Sequence, residues 1–162
     1  MKIVINRADS DDAEWVRFDR QAIPVATGRL LVDTADLLRY PRYFQRTVLE
    51  LGLNLEPEDR VSEIQGWLPR LRLVQLNFSS FADGRAFTQA RLLRERYDYR
   101  GDIRANGEVL RDQLAFMRRC GINQFNLAQG EDMESALAAF DDISHSYQPA
   151  GSEIDQVRLP GA

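Results

Sequence analysis

Apolar and polar positions divide this chain into short runs of two periodicities, and from residue 48 onward the two alternate. Val48–Leu55 (VLELGLNL) alternates with a period of two and predicts a strand. Pro57 opens a helix with Val61, Ile64 and Leu68 on one face, and Pro69 ends it. Leu71–Phe78 (LRLVQLNF) is a largely apolar strand. Ala86, Ala90, Leu93 and Tyr97 recur at helical spacing and predict a helix over 86–97. Gly101 separates it from a short strand, Asp102–Ala105. Glu108–Cys120 is the next helix, with Leu110, Leu114 and Met117 in line and Gly121 just past its end. Ile122–Leu127 is a strand, and Asp132–Ser144 a helix faced by Met133, Leu137 and Phe140. Residues 48–144 therefore read as four successive βα units, the pattern of parallel strands joined by right-handed crossovers.

The amino-terminal pattern differs. Lys2–Asn6 and Glu14–Phe18 are short alternating runs around an acidic turn, ADSDDA, and predict an edge β-hairpin. Ala22–Gly28 is a connector, Arg29–Asp36 a β-like run where Leu31, Leu37 and Leu38 could also start a helix, and Arg39–Thr47, broken by Pro41, carries no assignment. The expected organisation is a hairpin appendage over 1–28, an α/β domain over 29–147 and a loose tail over 148–162, where Pro149, Gly151, Pro160 and Gly161 fall. The chain is too short for a full eight-fold barrel. A small, mostly parallel sheet remains, either open and doubly wound or half-barrel-like, and no internal repeat chooses between them.

Composition narrows the chemistry. The 162 residues suit a single domain, and they include one Cys and one His. Internal disulfides, cysteine zinc sites, cysteine-held iron–sulfur clusters and histidine pairs are thereby excluded within one chain. Lys2 is the sole lysine among 21 basic residues, so the others are all Arg. Codon usage in a GC-rich genome accounts for that total, and only individual arginines carry a functional argument. A net charge of −4 and a pI near 5.1 argue against a nucleic-acid partner. No apolar run approaches the roughly 20 residues of a membrane span, and no signal-peptide core follows the first residues. The expectation is a cytoplasmic protein without a membrane or nucleic-acid partner. Homodimerisation rests only on the prevalence of two-fold assemblies.

Parallel α/β sheets bind ligands beyond the carboxyl ends of their strands. That rule selects Asn77–Arg85 (NFSSFADGR) and Arg104–Glu108 (RANGE), each with an Asx-Gly pair and an arginine. The functional reading is a pocket for a small oxyanion built from Asp83, Gly84, Arg85, Arg104 and Gly107, with Asn106 beside them. Glycine admits the turn, backbone N–H groups face the anion, and the two arginines donate. The structural reading is that Asp83 and Asn106 cap or turn the chain and Arg85 pairs with Asp83, Asp112 or Glu95. The nucleotide fingerprints GxGxxG and GxxxxGK[ST] and the nucleophile elbow GxSxG are absent. Cys120 is expected to be a packed residue, and His145 a helix-end residue. Arg91–Arg100 (RLLRERYDYR) reads as a salt-bridged helix face or the rim of a protein interface.

The stretch Phe81–Leu127, with Asp83-Gly84-Arg85, Ala90 to Arg96, Gly101, Arg104-Ala105, Gly107, Val109 to Gln113 and Cys120-Gly121, closely resembles a family of uncharacterised proteobacterial proteins. Their genes typically lie beside that of the assimilatory sulfite (or nitrite/sulfite) reductase haemoprotein. The likeness extends more weakly from about Leu31 to Tyr147. Asp102, Asn106 and Ile122 depart from the family's usual Glu, Val and Phe, which weakens a role for the Asn106 side chain. The resemblance implies a context in sulfur assimilation and a loose oxidoreductase label, with no cofactor identified. It points to an accessory protein of sulfite reduction that binds the reductase haemoprotein or a small oxyanion. A small enzyme acting on an anionic sulfur substrate at Asp83, Arg85 and Arg104 is the alternative, and an interaction module without a ligand site a third.

Overall fold

The computed structural model describes residues 3–7, 15–22, 28–80 and 83–146. Seven strands form one sheet: β1 (Val4–Arg7), β2 (Trp15–Arg17), β3 (Arg29–Asp33), β4 (Glu50–Leu55), β5 (Leu71–Phe78), β6 (Asp102–Gly107) and β7 (Gln124–Leu127). Their spatial order is β1-β7-β6-β5-β4-β3-β2, and every pair is parallel. Strands β2 to β7 thus lie side by side in chain order. Right-handed crossovers between successive neighbours always return on the same side, so the helices gather on one face. A doubly wound sheet would place them on both, and the sheet is instead a curled half-barrel.

The amino-terminal runs form edge strands as expected, but with different partners. β1 pairs with β7 and β2 with β3, so the two flank opposite edges of the sheet and do not pair with each other. The acidic turn lies outside the described residues. Chain length makes the curl necessary: eight peptide steps from Arg7 to Trp15 reach at most about 28 Å. A flat seven-strand sheet would already separate its edges by about 29 Å, before any return along the strand.

Helices α1 (Thr34–Arg39) and α2 (Pro41–Arg46) follow β3. Pro41, which breaks the pattern at 39–47, sits in the first turn of α2, where its fixed φ and missing N–H cost nothing. The helix expected from Pro57 is one α-turn, α3 (Val61–Ile64), continued as a 3₁₀ segment through Arg70 that contains Pro69. Helix α4 (Arg85–Arg91) runs on into a widened π-turn at Leu92–Arg96. Helices α5 (Leu114–Arg119) and α6 (Met133–Ser146) complete the layer. No helix among the described residues is long and apolar enough to cross a membrane.

The core lies between the helices and one face of the sheet. Ile5, Leu30, Val32, Leu53, Leu55, Val74, Leu76, Ile103, Ala105 and Phe125 alternate onto that face and are almost wholly buried. At the amino-terminal ends of the strands Arg94 acts as a bolt. Its guanidinium donates to the carbonyls of Gly121 (3.0 Å), Tyr99 (2.5 Å) and Gly101 (2.8 Å), and the Tyr99 hydroxyl donates to Leu71 O at 3.1 Å. Burial lowers the Arg94 pKa and raises that of Tyr99, so this packing displaces both groups from their free values.

Candidate functional site

Strand alternation fixes what the other, helix-free face must carry. On the concave side the residues come in layers, as the strand register aligns them. In the lowest layer Asp102 of β6 is in register beside Leu73, and Leu31, Gly52 and Leu73 lie side by side. Trp15 covers them, and a Cβ on Gly52 would meet its indole at 2.6 Å. Two residues on, Asp33, Asn54, Gln75, Arg104 and Gln124 share a layer, and all but Asp33 and Gln124 are buried. Two residues further, Asn77, Asn106, Asn126 and Asn6 face one another on β5, β6, β7 and β1. Glu56 follows the end of β4.

These side chains join into one hydrogen-bonded row. Asn6 Nδ2 donates to Asn126 Oδ1 at 3.0 Å, Asn126 Nδ2 to Asn106 Oδ1 at 3.1 Å, and Asn106 Nδ2 to Asn77 Oδ1 at 3.1 Å. Asn77 Nδ2 then donates to Asn54 Oδ1 (2.8 Å) and Glu56 Oε1 (2.9 Å). Asn54 Nδ2 reaches Asp33 Oδ1 (2.8 Å) and Glu56 Oε1 (3.0 Å), while Gln75 Nε2 donates to Asn54 Oδ1 at 3.0 Å. Arg17 closes the row with Nη2 on both oxygens of Asp33, at 3.0 and 3.1 Å. Every strand contributes at least one member, and β5 contributes two, Gln75 and Asn77. All the carboxamides point the same way, with N–H toward the carboxylates of Asp33 and Glu56, so their dipoles align and end on charges of the right sign.

The row leaves capacity for a ligand. A primary carboxamide has two N–H donors and two lone pairs. Asn6, Asn106 and Asn126 each use one N–H within the row, and Asn106 and Asn126 one lone pair. The remaining N–H groups sit on adjacent parallel strands, about 4.8 Å apart. Arg104, only 3% exposed, lies one layer beneath them with its Nε donating to Gln124 Oε1 at 3.0 Å. The carboxylates of the row gather at β3 and β4, and the buried guanidinium stands at β6, one layer above Asp102.

The residues selected from loop chemistry are not one cluster by contact. Arg104 lies inside β6, within the strand expected over Asp102–Ala105, and Asn106 and Gly107, expected in the loop after it, complete that strand. Gly107 has φ +100°, and a Cβ there would stand 2.5 Å from Phe78 O. Its role is to let the end of β6 approach β5, where Glu108 N donates to that same carbonyl at 2.8 Å. Gly84 has φ −80° and open space around it, so no conformational demand selects glycine there. Arg85 is held by Asp83, with Nε on Oδ1 at 2.9 Å and Nη2 on Oδ2 at 2.7 Å, and its backbone N donates to Oδ1 at 3.0 Å. Glu58 adds a second carboxylate at 3.0 Å. The Arg85 guanidinium holds the Asp83 carboxyl at a pKa of about 2, below its ordinary 3.8. Of the partners expected for Arg85, Asp83 is the one found, and Glu95 pairs with Arg91.

The carboxamide row escaped the loop-centred reading, although its signal is plain. Five strand segments, VIN, GLNL, QLNF, RANG and QFNL, each place an Asn after an apolar residue near the strand's end. Taken singly, each Asn looks like an ordinary strand-terminating residue. Among the described residues no group of three or more His, Cys, Asp or Glu could hold a metal ion.

The family model of a bacterial protein of unknown function, DUF934, matches residues 52–157. No curated protein is significantly similar to the chain. The matched span begins within β4 and includes Asn54, Gln75, Asn77, Arg104, Asn106, Gln124 and Asn126.

Proposed function

We propose that this chain, which belongs to the DUF934 family of bacterial proteins, is an accessory protein of assimilatory sulfite reduction that acts by binding a small oxyanion on its concave face. The observation that carries this reading is the continuous polar row across all seven strands. A sheet that served only as scaffold could fill this face with apolar side chains, as it does on the helix side and in the Trp15 layer. A row of carboxamides with spare N–H groups above a buried arginine presents donors that an anion can use. An oxyanion presents acceptors only, which suits spare N–H donors from Asn106 and Asn126 above the Arg104 charge. The Asp83-Gly84-Arg85 turn, internally neutralised, is assigned to shaping the β5–α4 connection. The sulfite context comes from the resemblance set out above, and with it the reductase haemoprotein as the partner to be tested.

Calorimetric titration with sulfite, sulfate and phosphate tests the binding. Saturable heat is expected for at least one anion in the wild type, lost in Arg104→Met and reduced about tenfold in Asn126→Leu. Equal heats in all three proteins overturn the concave-face assignment. Co-purification with the sulfite reductase haemoprotein tests the accessory role separately. Absence of a complex, together with unimpaired growth of a deletion strain on sulfate, removes it.

A further inference from the structure

Five of the six large apolar side chains left exposed among the described residues lie at the β2 edge of the sheet: Val16, Leu38, Tyr40, Tyr43 and Val48. Val48 is 92% exposed. Val16, Tyr40 and Tyr43 line a groove of about 370 Å³ on the helix side of β2, floored by Leu30 and Leu49 and walled also by Phe18. Its aromatic wall is rigid. Phe18 and Phe44 meet edge to face at 5.1 Å, Tyr43 and Phe44 at 5.0 Å, and Phe44 is wholly buried beneath them.

The charge around the groove is unbalanced. Arg17, Arg20 and Arg29 are matched by Asp33, Asp36 and Glu50. Arg39, Arg42 and Arg46, on α1 and α2 beside the tyrosines, have no carboxylate partner among the described residues, and Arg39 lies 5.7 Å over the Tyr40 ring. Asp19 also lines the groove, yet among the described residues beside it arginine outnumbers carboxylate, in a chain of net charge −4. Docking a second copy there through a two-fold axis would set these arginines against themselves. Tyrosine and arginine around an apolar depression are the composition of a protein-binding hot spot. The surface lies before the span matched by the family model, so it belongs to the amino-terminal elements of this chain.

We propose that the groove docks an acidic segment of a partner protein, which seats one aromatic or aliphatic side chain between Phe18, Tyr40 and Tyr43 while its carboxylates meet Arg39, Arg42 and Arg46. The site is separate from the concave face and does not depend on oxyanion binding.

The test uses fluorescence anisotropy with the full chain and a synthetic helical peptide of Asp and Glu carrying Phe and Leu four residues apart. Its counterpart with every acidic residue replaced by Lys is the control. The acidic peptide is expected to bind saturably and to weaken at least tenfold in Tyr43→Ser and in the double variant Arg42→Glu/Arg46→Glu. Raising salt should weaken it further, and the lysine peptide should not bind. Both substitutions alter exposed side chains, and circular dichroism checks that the variants remain folded. No saturable binding, equal binding of the two peptides, or unchanged affinity in both variants overturns the proposal. A concentration-dependent dimer abolished by Tyr43→Ser also overturns it, because the occupant is then a second copy.

Discussion

Gly107 and Gly84 stand in the same kind of Asx-Gly pair, yet the backbone asks different things of them. Gly107 occupies the left-handed region and presses against Phe78 O, so Gly107→Ala is expected to cost about 1–3 kcal/mol of stability. Gly84→Ala meets open space at an ordinary φ and should leave stability within about 0.5 kcal/mol of the wild type in urea unfolding. Asp83 is the second residue-scale case. Its carboxyl, held at about 2 by Arg85, favours the folded state above its ordinary pKa of 3.8, and that contribution fades as pH falls from about 4 toward 2. In Arg85→Met, carbon-detected NMR titration should return the Asp83 midpoint toward 3.8. Cys120 behaves differently again. Burial raises its pKa, so at neutral pH the thiol is protonated as well as covered. Native protein should react with iodoacetamide many times more slowly than protein in denaturant, as the packed-residue reading of Cys120 requires.

The strands and the principal helices were legible because their periodicity is local. Leu71–Phe78 and the helix at α4 follow from spacing alone, and the order of βα units implies parallel strands. Pairing across the sheet is not local. The two amino-terminal runs look like a hairpin because they are close in sequence, whereas closure of a curled sheet sends one to β7 and the other to β3. The site was hidden for the same reason: Asn6 and Asn126 are 120 residues apart and acquire meaning only as neighbours in a layer. Arg104 was singled out from the sequence at the end of a predicted strand, and the structure extends that strand, β6, through Asn106 and Gly107. The row itself is testable as an element. Asn106→Leu deprives Asn77 Oδ1 and Asn126 Nδ2 of their partners, and a loss of about 1–3 kcal/mol is expected in urea unfolding.

At the scale of the whole molecule, two faces of one sheet are put to different uses. The helix side supplies the hydrophobic core, and the concave side gathers polar residues from every strand into a single row. The oxyanion binding proposed for that side calls for carboxamide and guanidinium donors, and it asks nothing of the single Cys and single His of the sequence. The most direct measurement is a sulfite titration followed by the side-chain amide signals of ¹⁵N-labelled protein. The carboxamides of Asn106 and Asn126 should shift together and saturate, and Arg104→Met should abolish the response. Shifts confined to exposed arginines, or a carboxamide row that does not move at any sulfite concentration, would contradict the account.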